Sequence, residues 1–352
     1  MSSPPPLNCG SGGGDTAFKG LRIASLFIIW ASSSFAATFP IVAHRSRVIN
    51  LPLAVFETAK YFGSGVIIAT GFIHLLAPGI SELTSPCLGA AWQGYPYALA
   101  LALLSSFSIF IVEVIAFRIG TAKLKKLGIH HDPHGHAVGA YTAHGPETDS
   151  PQDHTSHDHS HSDLEKVGKD DHEHSPSSDS KQELLLTDED AMAQLIGVAI
   201  LEFGVILHSV LIGLTLAVDA NFKILFVVII FHQMFEGLGV GTRLANLILP
   251  SKYNYVPYVG SFLYGITTPI GIAVGLGIRT TYNPGSTEGT LVSGILDSLS
   301  AGILLYTGFV ELLAHEFLFS PEMREASLGK LLYALTCMMF GAGIMALLGK
   351  WA

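Results

Sequence analysis

An imidazole and a carboxylate stand four residues apart in the run His232-Gln-Met-Phe-Glu236. On an α-helix that spacing puts both on one face, and the pair suits a divalent first-row metal. A second histidine opens the run His208-Ser-Val-Leu-Ile-Gly213. Only Asp219-Ala-Asn-Phe222 lies between the two apolar stretches that carry these runs, so they form a tight hairpin. His208 sits about ten residues before the turn, and His232 and Glu236 sit about ten and fourteen after it, so at 1.5 Å of rise per residue all three share a depth near the middle of a bilayer. Burying one ionisable group in hydrocarbon costs about 2.5 kcal/mol or more on insertion scales. Three at one level point to a metal or proton site rather than to packing.

The elements that must hold these groups are membrane helices. Of 352 residues, 49% are hydrophobic and 13% charged, against roughly 25% charged in a soluble domain. Mean hydropathy is +0.46. So few charges cannot cover a soluble globule of this size, which leaves an all-α polytopic membrane protein. Eight stretches reach the roughly 20 residues a spanning helix needs: Leu21–Ala43, Leu53–Leu76, Tyr97–Phe117, Ala191–Val218, Ile224–Leu249, Val256–Gly277, Leu291–Ala314 and Leu328–Leu348. The expected organisation is a tail over 1–19, helices 1–3 within 20–127, a loop over 128–190, and helices 4–8 within 191–352. The glycines of Gly63-Ser-Gly65, Gly237-x-Gly239-x-Gly241 and Gly271-x-x-x-Gly275 suit close helix contacts.

Charge is unevenly placed. Between His130 and Asp190 there are fifteen Asp/Glu and three Lys, a local net of −12, while the rest of the chain is +3. The loop is rich in Ser, Asp, Gly and His and cannot bury a core, so it is expected to be disordered. It holds eleven of the 16 histidines, among them His131, His134, His136, His154, His157, His159 and His161. Imidazoles this closely spaced bind Zn²⁺ without a preformed fold; the alternative is a solvated acidic linker. With the N-terminus outside, ten basic residues of the termini and short loops fall on the inner side and five on the outer, the latter being Lys19, Arg22, Lys223, Arg279 and Lys350. That bias favours both termini outside and the loop in the cytosol. Three cysteines exclude a disulfide framework. Cys9 and Cys87 share the outer side, and sequence alone leaves open whether they are bridged. There is no basic-led signal peptide and no G-x-x-x-x-G-K-[ST] loop, so ATP-driven pumping has no support.

The runs His208-Ser-Val-Leu-Ile-Gly and His232-Gln-Met-Phe-Glu-Gly resemble the paired signatures of the ZIP family (Zrt/Irt-like proteins) of zinc and iron transporters. Eight spans and a His-rich loop after the third also match. The likeness covers nearly the whole chain and is nearest to the fungal and plant plasma-membrane branch. It implies an eight-helix bundle and uptake of Zn²⁺ or Fe²⁺ into the cytosol by rigid-body alternating access. It implies no enzymatic activity and no cofactor beyond the metal carried. His208 and Glu236 are the implied core ligands, with His232, Gln233 and Ser209 beside them. Many members carry His-Asn-x-Pro-Glu-Gly on the fourth helix; here Ser209, Leu211 and Ile212 stand at the Asn, Pro and Glu positions. One primary metal site with a weaker neighbour is therefore expected. A homodimer, and ubiquitination at Lys166 or Lys169, are further expectations that the family carries. So is a plasma-membrane address, with an internal membrane such as the vacuole as the alternative.

Other polar residues in the spans are more open. His74 either receives metal from outside or is an interfacial residue at a helix end. Glu311 and His315, four residues apart on the seventh helix, form a release step or a helix-end ion pair. Asp297 and Glu202 line a path or satisfy neighbours, and Glu57 and Lys60 read as a local pair. The rival class is an integral-membrane zinc hydrolase, which needs a water on an open metal position. A cation-diffusion exporter is disfavoured, because only Lys350-Trp-Ala follows the last span.

Overall fold

The computed structural model describes residues 9, 10, 13, 17–46, 52–126, 179–247 and 249–351. The loop histidines named above, and Lys166 and Lys169, lie outside them. Among the described residues eight helices are long and apolar enough to cross a membrane. We number them α1 (Lys19–Arg45), α2 (Leu53–Ala69), α3 (Tyr97–Lys126), α4 (Asp179–Val218), α5 (Phe222–Ala245), α6 (Val256–Ile278), α7 (Thr287–Tyr306) and α8 (Leu328–Leu348). All eight predicted spans are present. Two differ in kind from expectation. α2 runs on through a π-helical segment, Thr70–Leu76, and one more α-helical stretch, Ala77–Leu83; α7 runs on through a π-helical segment, Thr307–Phe319. A third difference concerns the loop: α4 begins at Asp179, so 179–190, predicted as loop, is helical. The helix-forming run Lys-Gln-Glu-Leu-Leu-Leu within it explains the extension.

The helices sort into two groups of four. α1, α4, α5 and α6 pack on one another, and α2, α3, α7 and α8 form the other set; the groups meet mainly where α2 crosses α5 and α4 crosses α7. Small residues let the backbones approach. A Cβ on Gly241 of α5 would lie 2.3 Å from the Ala37 carbonyl of α1, and one on Gly65 of α2 would lie 1.9 Å from the Met338 carbonyl of α8. At the seam between the groups a Cβ on Gly63 would come within 2.4 Å of Gly239 Cα. Lipid tails give no hydrophobic drive for helix association, so such contacts, not apolar burial alone, hold a membrane bundle together.

The α4–α5 turn is short because Asp219 closes it: its Oδ1 accepts from the Asn221 amide at 2.6 Å. Arg22 of α1, 1% exposed, caps the same end. Its guanidinium donates to the carbonyls of Leu216 at 3.1 Å and Asp219 at 2.8 Å, satisfying orphan acceptors at the α4 C-terminus, and it lies over the Phe222 ring. Cys9 and Cys87 are bridged, which ties the N-terminal residues to the segment after α2. The Thr287 hydroxyl donates to the Cys87 carbonyl at 3.2 Å, joining that segment to the start of α7.

Candidate metal centre

The α4–α5 hairpin brings the two sequence runs together as their spacing requires. His208 Nε2 lies 3.3 Å from His232 Nε2, and His232 Nε2 lies 3.8 Å from Glu236 Oε2. One ligand atom from each of the three residues falls within 4.8 Å of the others. For bonds of about 2.0–2.1 Å, two ligands of a tetrahedral Zn²⁺ stand roughly 3.3 Å apart. The histidine pair already has that separation, and the carboxylate has to close in by at least about half an ångström. All three side chains are at most 1% exposed.

The unpaired atoms are as informative as the distances. Both oxygens of Glu236, both of Glu202, Nδ1 of His208, Oγ of Ser209, Oε1 of Gln233 and Oδ1 of Asp297 are buried without a hydrogen-bond partner. Leaving one such atom unsatisfied costs about 1–3 kcal/mol. So many close to the triad are what a bound ligand supplying the missing interactions would satisfy. A divalent cation meets the acceptors among them.

Gln233 and Ser209 do not serve alike. The Gln233 side-chain amide donates to Thr268 Oγ1 of α6, and its backbone carbonyl accepts from the Tyr264 hydroxyl at 2.6 Å. The amide nitrogen is thus spent in fastening α5 to α6, and only Oε1 is left toward the site. Ser209 is fully buried and offers a neutral oxygen. Ile212, at the position where many family members carry a carboxylate, packs against the apolar cluster of Leu216, Ile229 and Ile272.

His74 is not the helix-end residue that sequence allowed. The π segment continues α2 past it, and it is 6% exposed. Its Nε2 donates to the Met345 carbonyl of α8 at 2.9 Å, and its ring meets that of His232 edge-on with centroids 4.6 Å apart. A third imidazole therefore borders the centre from the other helix group. The π turn is the cause, since it adds a residue to the helical repeat and re-aims the side chains beyond it; nothing in the α-periodic pattern signals it. Asp297 of α7 comes from the same group, its Oδ1 4.0 Å from His208 Nδ1.

Glu311 and His315 lie in the π segment that prolongs α7. The Glu311 carboxylate is held at 2.9 Å by Arg243 of α5, a partner on another helix that the i,i+4 spacing did not point to, and His315 is buried. Glu57 and Lys60 do not pair locally. Glu57 meets Lys330 of α8 at 3.1 Å, and Lys60 meets Glu316 at 3.3 Å.

The profile described as ZIP Zinc transporter matches residues 19–349. The chain is 43% identical over 355 residues to Zinc-regulated transporter 1 of Schizosaccharomyces pombe, covering 95% of this chain and 85% of that protein. It is 36% identical over 412 residues to Zinc-regulated transporter 2 of Saccharomyces cerevisiae, covering 98% and 97%. It is 30% identical over 361 residues to Fe(2+) transport protein 1 of Arabidopsis thaliana, covering 100% and 92%. With the profile matched from the first spanning helix to the last, the membrane hydrolase is set aside and the chain belongs to the ZIP family of zinc transporters.

Proposed function

We propose that the protein carries Zn²⁺ across the membrane into the cytosol, and that His208, His232 and Glu236 are the ligands that hold the ion midway. The single observation that carries this is the buried triad with its unsatisfied oxygens, set where two helix groups meet. His208, His232 and Glu236 belong to the α1/α4/α5/α6 group, while His74 and Asp297 face them from the other. Sliding one group along the other would expose the same ligands first to one side and then to the other. Gly63 against Gly239 supplies a backbone-smooth contact for such movement.

Ligand chemistry agrees with zinc. Two imidazoles and one carboxylate suit Zn²⁺, though selectivity in such sites comes from geometry and metal availability more than from raw affinity. One tightly held ion is the expected stoichiometry. The Gln233 amide is bonded to Thr268, and no carboxylate stands at position 212 to bridge a second. Direction follows from two supports. The Cys9–Cys87 bridge suits an oxidising compartment, which supports an N-terminal end outside the cytosol. The basic residues of the short loops crowd the opposite side, and Arg22 drops out of the outer tally because it is buried as a helix cap. The plasma membrane is the address we assign.

The second reading, Fe²⁺ carriage, is favoured by the likeness to a protein named Fe(2+) transport protein 1. Both are tested by tracer uptake in cells that lack their own high-affinity zinc uptake. Radioactive zinc accumulation should survive excess Fe²⁺ or Mn²⁺ and fall with excess unlabelled Zn²⁺. His208→Ala, His232→Ala and Glu236→Gln should each remove most uptake at equal surface abundance. Normal uptake by Glu236→Gln would sink the assignment of the centre, and suppression by Fe²⁺ alone would move the substrate to iron.

A further inference from the structure

On the side of the bundle away from the disulfide, an ion pair crosses the seam between the helix groups. Arg243 of α5 donates to Glu311 Oε2 at 2.9 Å and to the Glu311 backbone carbonyl at 3.4 Å. Glu311 belongs to the π-helical end of α7, in the other group. The two side chains keep 20% and 12% of their surface exposed, so water reaches them. α4 meets the pair with Gly197, where a Cβ would lie 3.8 Å from Glu311 Oε2.

Behind Glu311 stands Glu113 of α3. The Tyr306 hydroxyl donates to Glu113 Oε2, and the Glu113 and Glu311 carboxyl groups are in hydrogen-bonding contact with each other. An ionised carboxylate only accepts, so two carboxyl groups can bond to each other only through a proton that one of them keeps. The other charged and titratable groups facing the three are His315 and Glu316 of the same π-helical end, and Lys60 of α2, which holds Glu316 at 3.3 Å.

That proton sets how firmly Arg243 is held. With it in place the guanidinium faces one negative charge from the two acids; without it, two. The attraction grows with that charge, so losing the proton tightens the pair. Sliding of the helix groups has to part Arg243 from Glu311. Once they are parted, Glu311 has lost its cation, and the proton on Glu113 is a donor that still reaches it. The parted state therefore holds the proton more tightly than the closed state, and by linkage protons favour parting.

We propose that Arg243, Glu311 and Glu113 form a latch across the cytosolic side of the seam, loosened by one proton from the cytosol and tightened by its loss. The proposal rests on the sliding transport reading above. Tyr306 is a positioning residue: its hydroxyl donates to a Glu113 oxygen, which favours the charged form and hence the tight latch.

The test uses the full-length protein in vesicles, with zinc tracer uptake followed while the pH on the cytosolic face is varied and the pH on the other face is fixed. Maximal uptake by the parent should fall at least about fivefold as the cytosolic face turns alkaline, the lower end of typical coupling between two sites. Glu113→Gln is neutral at every pH and keeps a donor toward Glu311, so it should hold the parent's acid-side rate throughout. Tyr306→Phe should move the fall to more alkaline values. Infrared spectra in H₂O and D₂O read the proton directly: a protonated-carboxyl stretch seen in the parent should be missing from Glu113→Gln. A fall of the parent's size in Glu113→Gln overturns the proposal, because His315 or another group would then carry the response. So does an unchanged protonated-carboxyl stretch in that variant, or an unmoved profile in Tyr306→Phe. Should the stretch be lost as expected while no form takes up zinc, the shared proton stands and the transport reading fails.

Discussion

Replacing Gly239 with alanine adds one methyl group at the seam between the helix groups. The reverse contact sets the scale: a Cβ on Gly239 would lie 3.0 Å from the Gly63 carbonyl oxygen and 3.2 Å from Gly63 Cα. Ordinary van der Waals contact begins near 3.5 Å, so α2 and α5 must part by about half an ångström along the crossing. Overpacking of that kind costs about 1–3 kcal/mol. If the contact exists in only one state of the cycle, the whole penalty falls on that state, and its population drops by roughly 5- to 150-fold. The expected outcome is a fall of at least fivefold in maximal zinc uptake with little change in melting temperature. Gly241→Ala is the matched control. Its methyl would meet the Ala37 carbonyl at 2.3 Å, but inside one helix group, so it should lower the melting temperature and protein yield instead. If Gly239→Ala melts as low as Gly241→Ala and transports normally per folded molecule, the seam is static and the sliding picture is wrong.

Thr268→Val removes the acceptor of the buried Gln233 amide and should destabilise the protein by about 1–3 kcal/mol, seen as a lower melting temperature; a rise in bound zinc from one to two equivalents would show that the freed amide had been masking a second position. Cys87→Ser should cost about 2–4 kcal/mol, and reductant should lower the melting temperature of the parent but not of the variant. Glu311→Gln strips Arg243 of its 2.9 Å carboxylate partner and should lower stability; uptake per folded molecule stays near normal if Glu311 is structural and falls if it also releases metal. Deleting 132–178 should leave zinc uptake near normal at equal surface level, since the helices on either side of it are complete without it; loss of uptake in a correctly targeted protein would make the loop part of the pathway.

The eight helices and the His208/His232/Glu236 triad were legible because each rests on a short-range rule. Twenty apolar residues make a span, i and i+4 share a face, and a short turn equalises depth. What escaped depends on neighbours distant in sequence. The partners of Glu57 and Lys60 come from α8 and the π-helical end of α7, and no spacing within α2 points to them. His74 reaches His232 because the helix widens at Thr70–Leu76, and the residues there, Thr-Gly-Phe-Ile-His-Leu-Leu, are as compatible with an α-helix as with a π turn.

Arg22 has a consequence in time. Its acceptors, the carbonyls of Leu216 and Asp219, lie 194 and 197 residues further along the chain. A ribosome adding about 5–20 residues per second needs roughly 10–40 s to reach them. Throughout that interval α1 must reside in the membrane with only the bond from Arg22 Nε to the Ala17 carbonyl in place and the two to α4 still missing. Its place near the helix end lets it reach toward the headgroups meanwhile. The α1–α4 contact therefore closes late in synthesis, when the fourth span arrives to take the charge. Truncated chains ending before residue 216 should stay open to proteases at this end, and those extending past 219 should not.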